Sequence, residues 1–346
     1  MSHITVFDVA RRCGLSPTTV SRVLNNTDYP VSEQARQKVL QASKELDYSP
    51  NPAGRMLKTK KNYDIGLIVP NISNYTYAIL ATGVQKVAAA YGYQVILCTS
   101  FDSVEMERKN IELLRKKQVA GIVLVTLDWT GDNIAYAVSK KLRIVAAEQA
   151  VQNVDCPRVL ADHFHIPFMI MDYLVQMGHR DIAFLSAPLD RPSRKLLYSG
   201  YQEAGEKMKQ VCRTQALFAT LEPDAQGPSF QQHIAYGMEL GQRLLQQSTM
   251  PTAIFCNNDM VALGALQKLI TCGVRVPDDV SLVGIDNSPY SQLPYMPISS
   301  VDENVSKTGQ EAAKMLFALI KGKEQENPER IIEATLVARG SVRDLR

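Results

Sequence analysis

Two rhythms of apolar and polar positions run along this chain. From Tyr63 onward, short apolar runs rich in β-formers are separated by stretches of helical period: DIGLIVP, a helix near 76–91, YQVILCTS, a helix near 103–117, AGIVLVTL, a further helix, then RIVAAE. Near-continuous apolar strands alternating with helices predict a parallel sheet covered on both faces. The pattern then restarts. HRDIAFLSAP echoes YDIGLIVP and leads through helix, strand and helix to PTAIFCNND, a helix, VSLVGIDN, a long helix near 303–321 and a last strand near 331–338. The expectation for residues 62–346 is an α/β body of two similar lobes.

Residues 1–49 follow a different rhythm, with a helical period and explicit punctuation. Thr5 stands three residues before Asp8, a capping-box spacing, and Val6, Val9 and Ala10 share one face of the helix it starts. Gly14 can take the left-handed conformation that closes a helix, and Ser16-Pro17 restarts the chain as N-cap and first helical residue. Val20, Val23 and Leu24 at helical spacing complete two short helices across a tight turn, a helix-turn-helix. A third helix is capped by Ser32, carries Ala35, Val39, Ala42 and Leu46 on its inner stripe, and ends at Tyr48-Ser49-Pro50.

Charge sharpens the division. Residues 1–61 hold 10 Lys/Arg against 5 Asp/Glu, leaving 28 against 30 for the remainder. A basic head on a near-neutral body is the footprint of a protein whose head alone meets a polyanion. In a helix-turn-helix the second helix lies in the major groove of double-stranded DNA, so Pro17, Thr18 and Arg22 face base edges. Arg22 is the leading base-reading candidate, because its planar fork can bond guanine O6 and N7 together. Ser16, Thr19, Ser21 and Asn25 are short donors suited to phosphate oxygens, and Thr5 at the first cap joins this DNA-facing set. The segment 50–61 is helix-capable but too short to be stable alone, and Gly54 weakens it further. Asn51, Arg55 and Leu57 are its DNA-facing candidates, with Leu57 among basic residues suited to a wedge in the minor groove.

ITVFDVARRCGLSPTTVSRVLNN followed by YSPNPAGRMLK resembles the DNA-binding head and hinge of the lactose/galactose-repressor (LacI/GalR) family, and the resemblance extends over nearly the whole chain. It implies an N-terminal helix-turn-helix headpiece at 1–49, a hinge helix at 50–61 and a two-lobed, periplasmic-binding-protein-like body with parallel sheets. It further implies a homodimer that binds a palindromic operator, represses transcription and is modulated by a sugar or related metabolite. Gly54 departs from the family's usual alanine.

Open parallel sheets bind ligands beyond the carboxyl ends of their strands, and in a two-lobed body those ends converge on a cleft. The strand ends supply Asn71, Tyr75, Tyr77, Glu148 and Arg194, and by resemblance Asn258, Asp259 and Asp286 line the effector cleft. Asn258 or Asp259 can equally serve as a helix cap, and Asp286 to Pro289 as a turn. Two positions depart from sugar-responsive relatives: an arginine is replaced by Leu197, and an aromatic by Thr76. Arg194, one helical turn before Leu197, is placed to supply the missing cation. An alternative is a regulator whose degenerate cleft answers to a protein partner; a solute-binding protein or sugar-handling enzyme fits the basic head poorly.

No GxGxxG, Walker-type, HExxH or GxSxG motif is present, so neither cofactor nor catalytic residues are expected. His163 and His165 lack further nearby ligands, and no metal site is expected. Six scattered cysteines read as apolar fillers. With no secretory signal pattern and no membrane span, the expectation is a cytoplasmic protein. The C-terminal VARGSVRDLR carries no leucine heptads, so tetramerisation through a coiled coil is not expected.

Overall fold

The structure, a computed structural model, describes residues 4–24, 30–48, 62–149, 151, 154–221, 229–293, 297–323 and 328–346. Asn25, Asn51, Arg55 and Leu57 lie outside the described residues, as does the expected boundary between headpiece and hinge. The chain forms two compact units, Met1–Asn62 and Tyr63–Arg346.

The first unit is a three-helix cluster: α1 (Val6–Cys13), α2 (Pro17–Leu24) and α3 (Glu33–Glu45). Its punctuation is local chemistry. The Asp8 carboxylate accepts the Thr5 N–H at 2.9 Å and the Thr5 hydroxyl at 2.7 Å, fixing the start of α1. Gly14 closes α1 at φ 68°. The Ser16 hydroxyl accepts Thr19 N–H at 3.1 Å to start α2, and Ser32 does the same for Ala35 at 3.3 Å to start α3. Val9, Ala10, Val20, Val23, Val39 and Ala42 form the buried core, with Leu15, Leu24, Leu46 and Tyr48 packed around it.

In the second unit two six-stranded sheets repeat one topology. Lobe 1 orders its strands β2 (Gln94–Thr99), β1 (Asp64–Val69), β3 (Ile122–Leu124), β4 (Ile144–Glu148), β5 (Arg158–Ala161) and β11 (Glu329–Ile332). Lobe 2 orders β7 (Arg213–Phe218), β6 (Asp181–Ser186), β8 (Ala253–Cys256), β9 (Ser281–Ile285), β10 (Ser299–Asp302) and β12 (Thr335–Val337). All neighbouring pairs are parallel except β10 with β12. Helices cover both faces. β1 sends Ile65, Leu67 and Val69 to one core and Ile68 to the other, as β6 does with Ala183 and Leu185 against Ile182 and Phe184. The helices are α4 (Tyr75–Ala90), α5 (Val104–Lys116), α6 (Asp132–Ser139), α7 (Ile166–Gln176), α8 (Pro192–Lys207), α9 (Ser229–Leu245), α10 (Asp259–Thr271) and α11 (Val305–Ile320).

Three features differ from the sequence reading. The last strand near 331–338 is two strands, β11 in lobe 1 and the antiparallel β12 in lobe 2. β5, only four residues long, was too short to announce itself, and β10 had no apolar run. β10 is SSVD, and its serines are buried by hydrogen bonding: Ser300 donates to Asp259 at 2.6 Å and Ser299 N–H to Ser341 at 2.8 Å. Of the cysteines read as apolar fillers, Cys98, Cys156, Cys212 and Cys256 are buried, whereas Cys272 is exposed.

The chain passes between lobes three times, at 162–165, 303–304 and 333–334. Gly200 on α8 packs against the first crossing so closely that a Cβ there would lie 2.1 Å from the carbonyl oxygen of Phe164. Gly200→Ala therefore has to push the helix off the crossing segment, with an expected loss of roughly 1–3 kcal/mol in chemical denaturation. Wild-type stability in the variant would contradict this packing.

Candidate functional site

In the head, burial of Val20 and Val23 fixes which side of α2 faces inward. Thr5, Ser16 and Thr18 are exposed, and Pro17, Thr19, Ser21 and Arg22 are half-buried at the edge of the core. Ser16 has a structural duty as well: besides capping α2, its hydroxyl lies 2.9 Å from that of Thr19. When Thr19 donates in this pair, the single O–H of Ser16 is left to donate to a phosphate oxygen.

In the body, the strand carboxyl ends of both lobes meet at a cavity of about 80 Å³. Lobe 1 contributes Asn74, Thr76 and Tyr77 from the start of α4, and Glu148 and Gln149 from the end of β4. Lobe 2 contributes Arg191, Ser193, Arg194 and Leu197 from α8, His233 from α9, Asn257 and Asn258 after β8, and Asp286 after β9. His163 and Glu303 enter from two of the crossing segments. A second chamber of about 220 Å³ shares Asn74, His233, Asn258 and Asp286 with the first and adds Tyr75, Met260, Phe230 and Tyr290.

The start of α8 is tied across the cleft. Arg191 donates to the Tyr77 hydroxyl at 3.1 Å and to Asp102 at 2.8 Å, Gln149 accepts the Ser193 N–H at 3.3 Å, and the Lys195 ammonium sits 3.7 Å from the centre of the Trp129 ring. On the opposite rim Thr76 donates to Asp286 at 3.4 Å. Arg194 is buried and engaged within its own lobe, donating to Pro188 O at 2.9 Å, Asp190 at 2.5 Å and His233 Nε2 at 2.9 Å. Burial and the two arginines hold His233 well below the ordinary imidazole range, so it is a neutral acceptor.

The crossing region concentrates carboxylates. Glu148 is 4% exposed, and its Oε1 has no hydrogen-bond partner. Burial first and the neighbouring Glu303 charge second push its carboxyl up to about 7. Asp286 is also held well above the carboxylate range by desolvation and by the charges of Asp259 and Glu303. His163 Nε2 lies 3.1 Å from Glu303 Oε1; burial alone pulls this imidazole down, and the Glu303 contact outweighs it to give a net rise. Several of these residues hold left-handed backbone, at φ 68° for Glu148, 107° for Asp286, 46° for Asn287 and 54° for Asn304. Such conformations cost of order 1–3 kcal/mol each in non-glycine residues and persist where the surroundings impose them.

Of the effector candidates read from sequence, Tyr77, Glu148, Arg194, Asn258 and Asp286 line the inner cavity and Tyr75 the outer chamber. Asn258 is also the cap of α10, accepting Val261 N–H at 2.8 Å. Two candidates are placed elsewhere. Asp259 is consumed by the Ser288 N–H at 2.7 Å and by the Ser288 and Ser300 hydroxyls, which hold the loop after β9. The Asn71 side chain closes a local turn onto Ser73 and does not reach the cavity. His163, Glu303 and His233 were missed as effector-site candidates. The first two are 140 positions apart on separate crossings, and no local spacing announces their meeting. His165, by contrast, is exposed and pairs with Asp162. Among the described residues no group of three His, Cys, Asp or Glu is disposed to hold a metal, and no helix is long and apolar enough to cross a membrane.

Residues 5–51 match the model of bacterial regulatory proteins of the lacI family, and residues 171–342 that of the periplasmic binding protein-like domain. The HTH-type transcriptional repressor PurR of Histophilus somni is 31% identical over 99% of both chains, and that of Pasteurella multocida 32% identical over 98% of both. Among solved structures, a Lac repressor dimer bound to operator and an anti-inducer matches with a TM-score of 0.86 at 23% identity, covering 99% of this chain and 100% of that one. A cellobiose complex of the transcriptional regulator CelR matches with a TM-score of 0.70 at 25% identity, over 98% of this chain and 100% of that one.

The raised Glu148 carboxyl has a definite sign. The folded state binds this proton more tightly than the unfolded chain, so its contribution to stability is present at low pH and is lost as pH rises from 4.5 through about 7. Glu148→Gln removes that loss. The variant is expected to exceed wild type by roughly 1–3 kcal/mol at pH 8, with the gap closing toward pH 5. Urea melts at both pH values measure it, and a gap that widened on acidification would contradict the assignment.

Proposed function

Because the chain belongs to the lacI family of bacterial regulatory proteins, we propose that it is a sequence-specific DNA-binding repressor that grips a palindromic operator as a homodimer and is switched by a small molecule held between its lobes. The observation that carries this reading is the helix-turn-helix itself. Caps at Thr5, Ser16 and Ser32 and the left-handed Gly14 hold α2 by its buried Val20 and Val23, leaving its N-terminal side for the major groove.

Arg22 is assigned to base reading, with Pro17 and Thr18 beside it, and Ser16, Thr19, Ser21, Asn25 and Thr5 to phosphates. Residues 1–49 form the headpiece, 50–61 a hinge bearing Asn51, Arg55 and Leu57, and 62–346 the effector-binding and dimerisation body. The PurR relatives are HTH-type transcriptional repressors, and the Lac repressor neighbour is a dimer on its operator; both support a DNA-binding regulator, which we read as non-catalytic and cytoplasmic. The CelR regulator solved with cellobiose supports a small molecule in the cleft. In this chain the effector site is assigned to Tyr75, Tyr77, Glu148, Arg194, Asn258 and Asp286, joined by His163, His233 and Glu303. Leu197 replaces the arginine expected for a sugar pose, while Arg194 brings a guanidinium to the same wall.

Selection of bound duplexes from a random pool at fixed salt tests the head. The expected product is a palindrome whose half-sites are about one helical turn, roughly 34–36 Å, apart. Arg22→Ala is expected to lose ~1–3 kcal/mol of discrimination at one position of each half-site while retaining salt-dependent binding. Binding without any preferred sequence would reduce the head to a polyanion grip.

A further inference from the structure

The cavity between the lobes has an unbalanced inventory of hydrogen-bonding groups. Its cationic side chains are already engaged: Arg191 with Tyr77 and Asp102, Arg194 with Pro188, Asp190 and His233. Its acidic side chains are less fully answered. Glu148 is 4% exposed, faces the cavity, and leaves Oε1 with no partner. The hydrogen bond that Asp286 accepts at the cavity is a long one of 3.4 Å from Thr76. Glu303, 5% exposed, has the imidazole of His163 beside it. Three carboxyl groups thus converge with one imidazole to answer them. A buried charge left without a partner is costly, so a ligand that supplies a counter-charge gains where a neutral one does not. Glu148 and Asp286, both with left-handed backbone, line this acceptor-rich wall. A metal ion does not fit, since no group of three ligating side chains is disposed for one among the described residues.

The adjoining chamber of about 220 Å³ has a different character. Tyr75, Phe230, Met260 and Tyr290 bound it, and Asp286 lies on the border between the two spaces. Aromatic faces and a thioether suit a flat or apolar body next to a charged head.

Building on the reading of the cleft as an effector site, we propose that the effector is an organic cation, an amine or amidine nitrogen on a flat or apolar body, with the cationic head held by Glu148, Glu303 and Asp286 and the body against Tyr75, Phe230 and Tyr290. Arg194 shapes the cavity wall, Arg191 ties the lobes together, and the carboxylates select the charge.

Benzamidinium, benzamide and benzoate share one shape and carry charges of about +1, 0 and −1 at pH 8, which makes them probes of this assignment. Isothermal titration of the full-length protein at that pH is expected to show benzamidinium at least tenfold tighter than benzamide, with benzoate weakest. Glu148→Gln and Asp286→Asn, both checked for cooperative melting, are each expected to cut that preference at least threefold. Benzamide or benzoate binding as tightly as benzamidinium, or a cation preference unchanged in both variants, would overturn the cation assignment and leave a small-molecule cleft standing. Absence of binding by all three at millimolar concentration would overturn the cleft reading together with it.

Discussion

Withdrawing a carboxylate from water costs several kcal/mol unless hydrogen bonds or a counter-charge replace the solvent. At the seam between the lobes this is done for Glu148 and Glu303 together, with Asp286 beside them. The surroundings answer that cost in part. His163 stands against Glu303, protonation relieves Glu148 near neutral pH, and the rest is left open toward the cavity. These groups sit at or next to the segments where the chain passes between lobes, so their electrostatics act on the joint about which the lobes are connected. A change in the charge filling this cavity is therefore a change in the balance of forces across the joint.

The opposing force is the set of contacts from the start of α8 to lobe 1. Arg191 bonds Tyr77 and Asp102, Ser193 bonds Gln149, and Lys195 lies over Trp129. Each is individually modest, and exposed ion pairs or cation–π contacts contribute about 0–1 kcal/mol. Together they span the cleft mouth, and all come from one turn of one helix, whose position on the first crossing depends on Gly200. A ligand that stabilises the inner carboxylates and leaves this turn in place favours the tied arrangement; one that displaces Arg191 favours its release. The coupling is required to be differential, since a ligand with equal affinity for two arrangements shifts neither.

Much of this was legible in the sequence where the signal is local. Capping spacings at Thr5 and Ser16, Gly14 and the valine stripe specify the head, and repeated apolar runs specify two parallel sheets. Strand ends specify where polar groups gather, which points to Tyr77, Glu148 and Arg194, while the family resemblance points to Asn258 and Asp286; all five line the cavity. The failures are non-local. β10 is buried through serine hydroxyls and carries no apolar pattern, and one apolar stretch near the C-terminus serves two sheets because the chain crosses within it. Asp259 reads like its neighbour Asn258 and is instead spent on Ser288 and Ser300. The meeting of His163 with Glu303 depends on two crossings, which periodicity does not encode.

We propose that the arrangement of the lobes governs the grip of the head on DNA. The most direct measurement is the operator affinity, at fixed salt and without effector, of wild type and Arg191→Ala, in which ties across the cleft are cut and the head is untouched. Coupling free energies between sites are typically ~1–3 kcal/mol, so the account predicts a change of at least about fivefold in Kd with unaltered sequence preference. An affinity within twofold of wild type, with the body still folded, would contradict it.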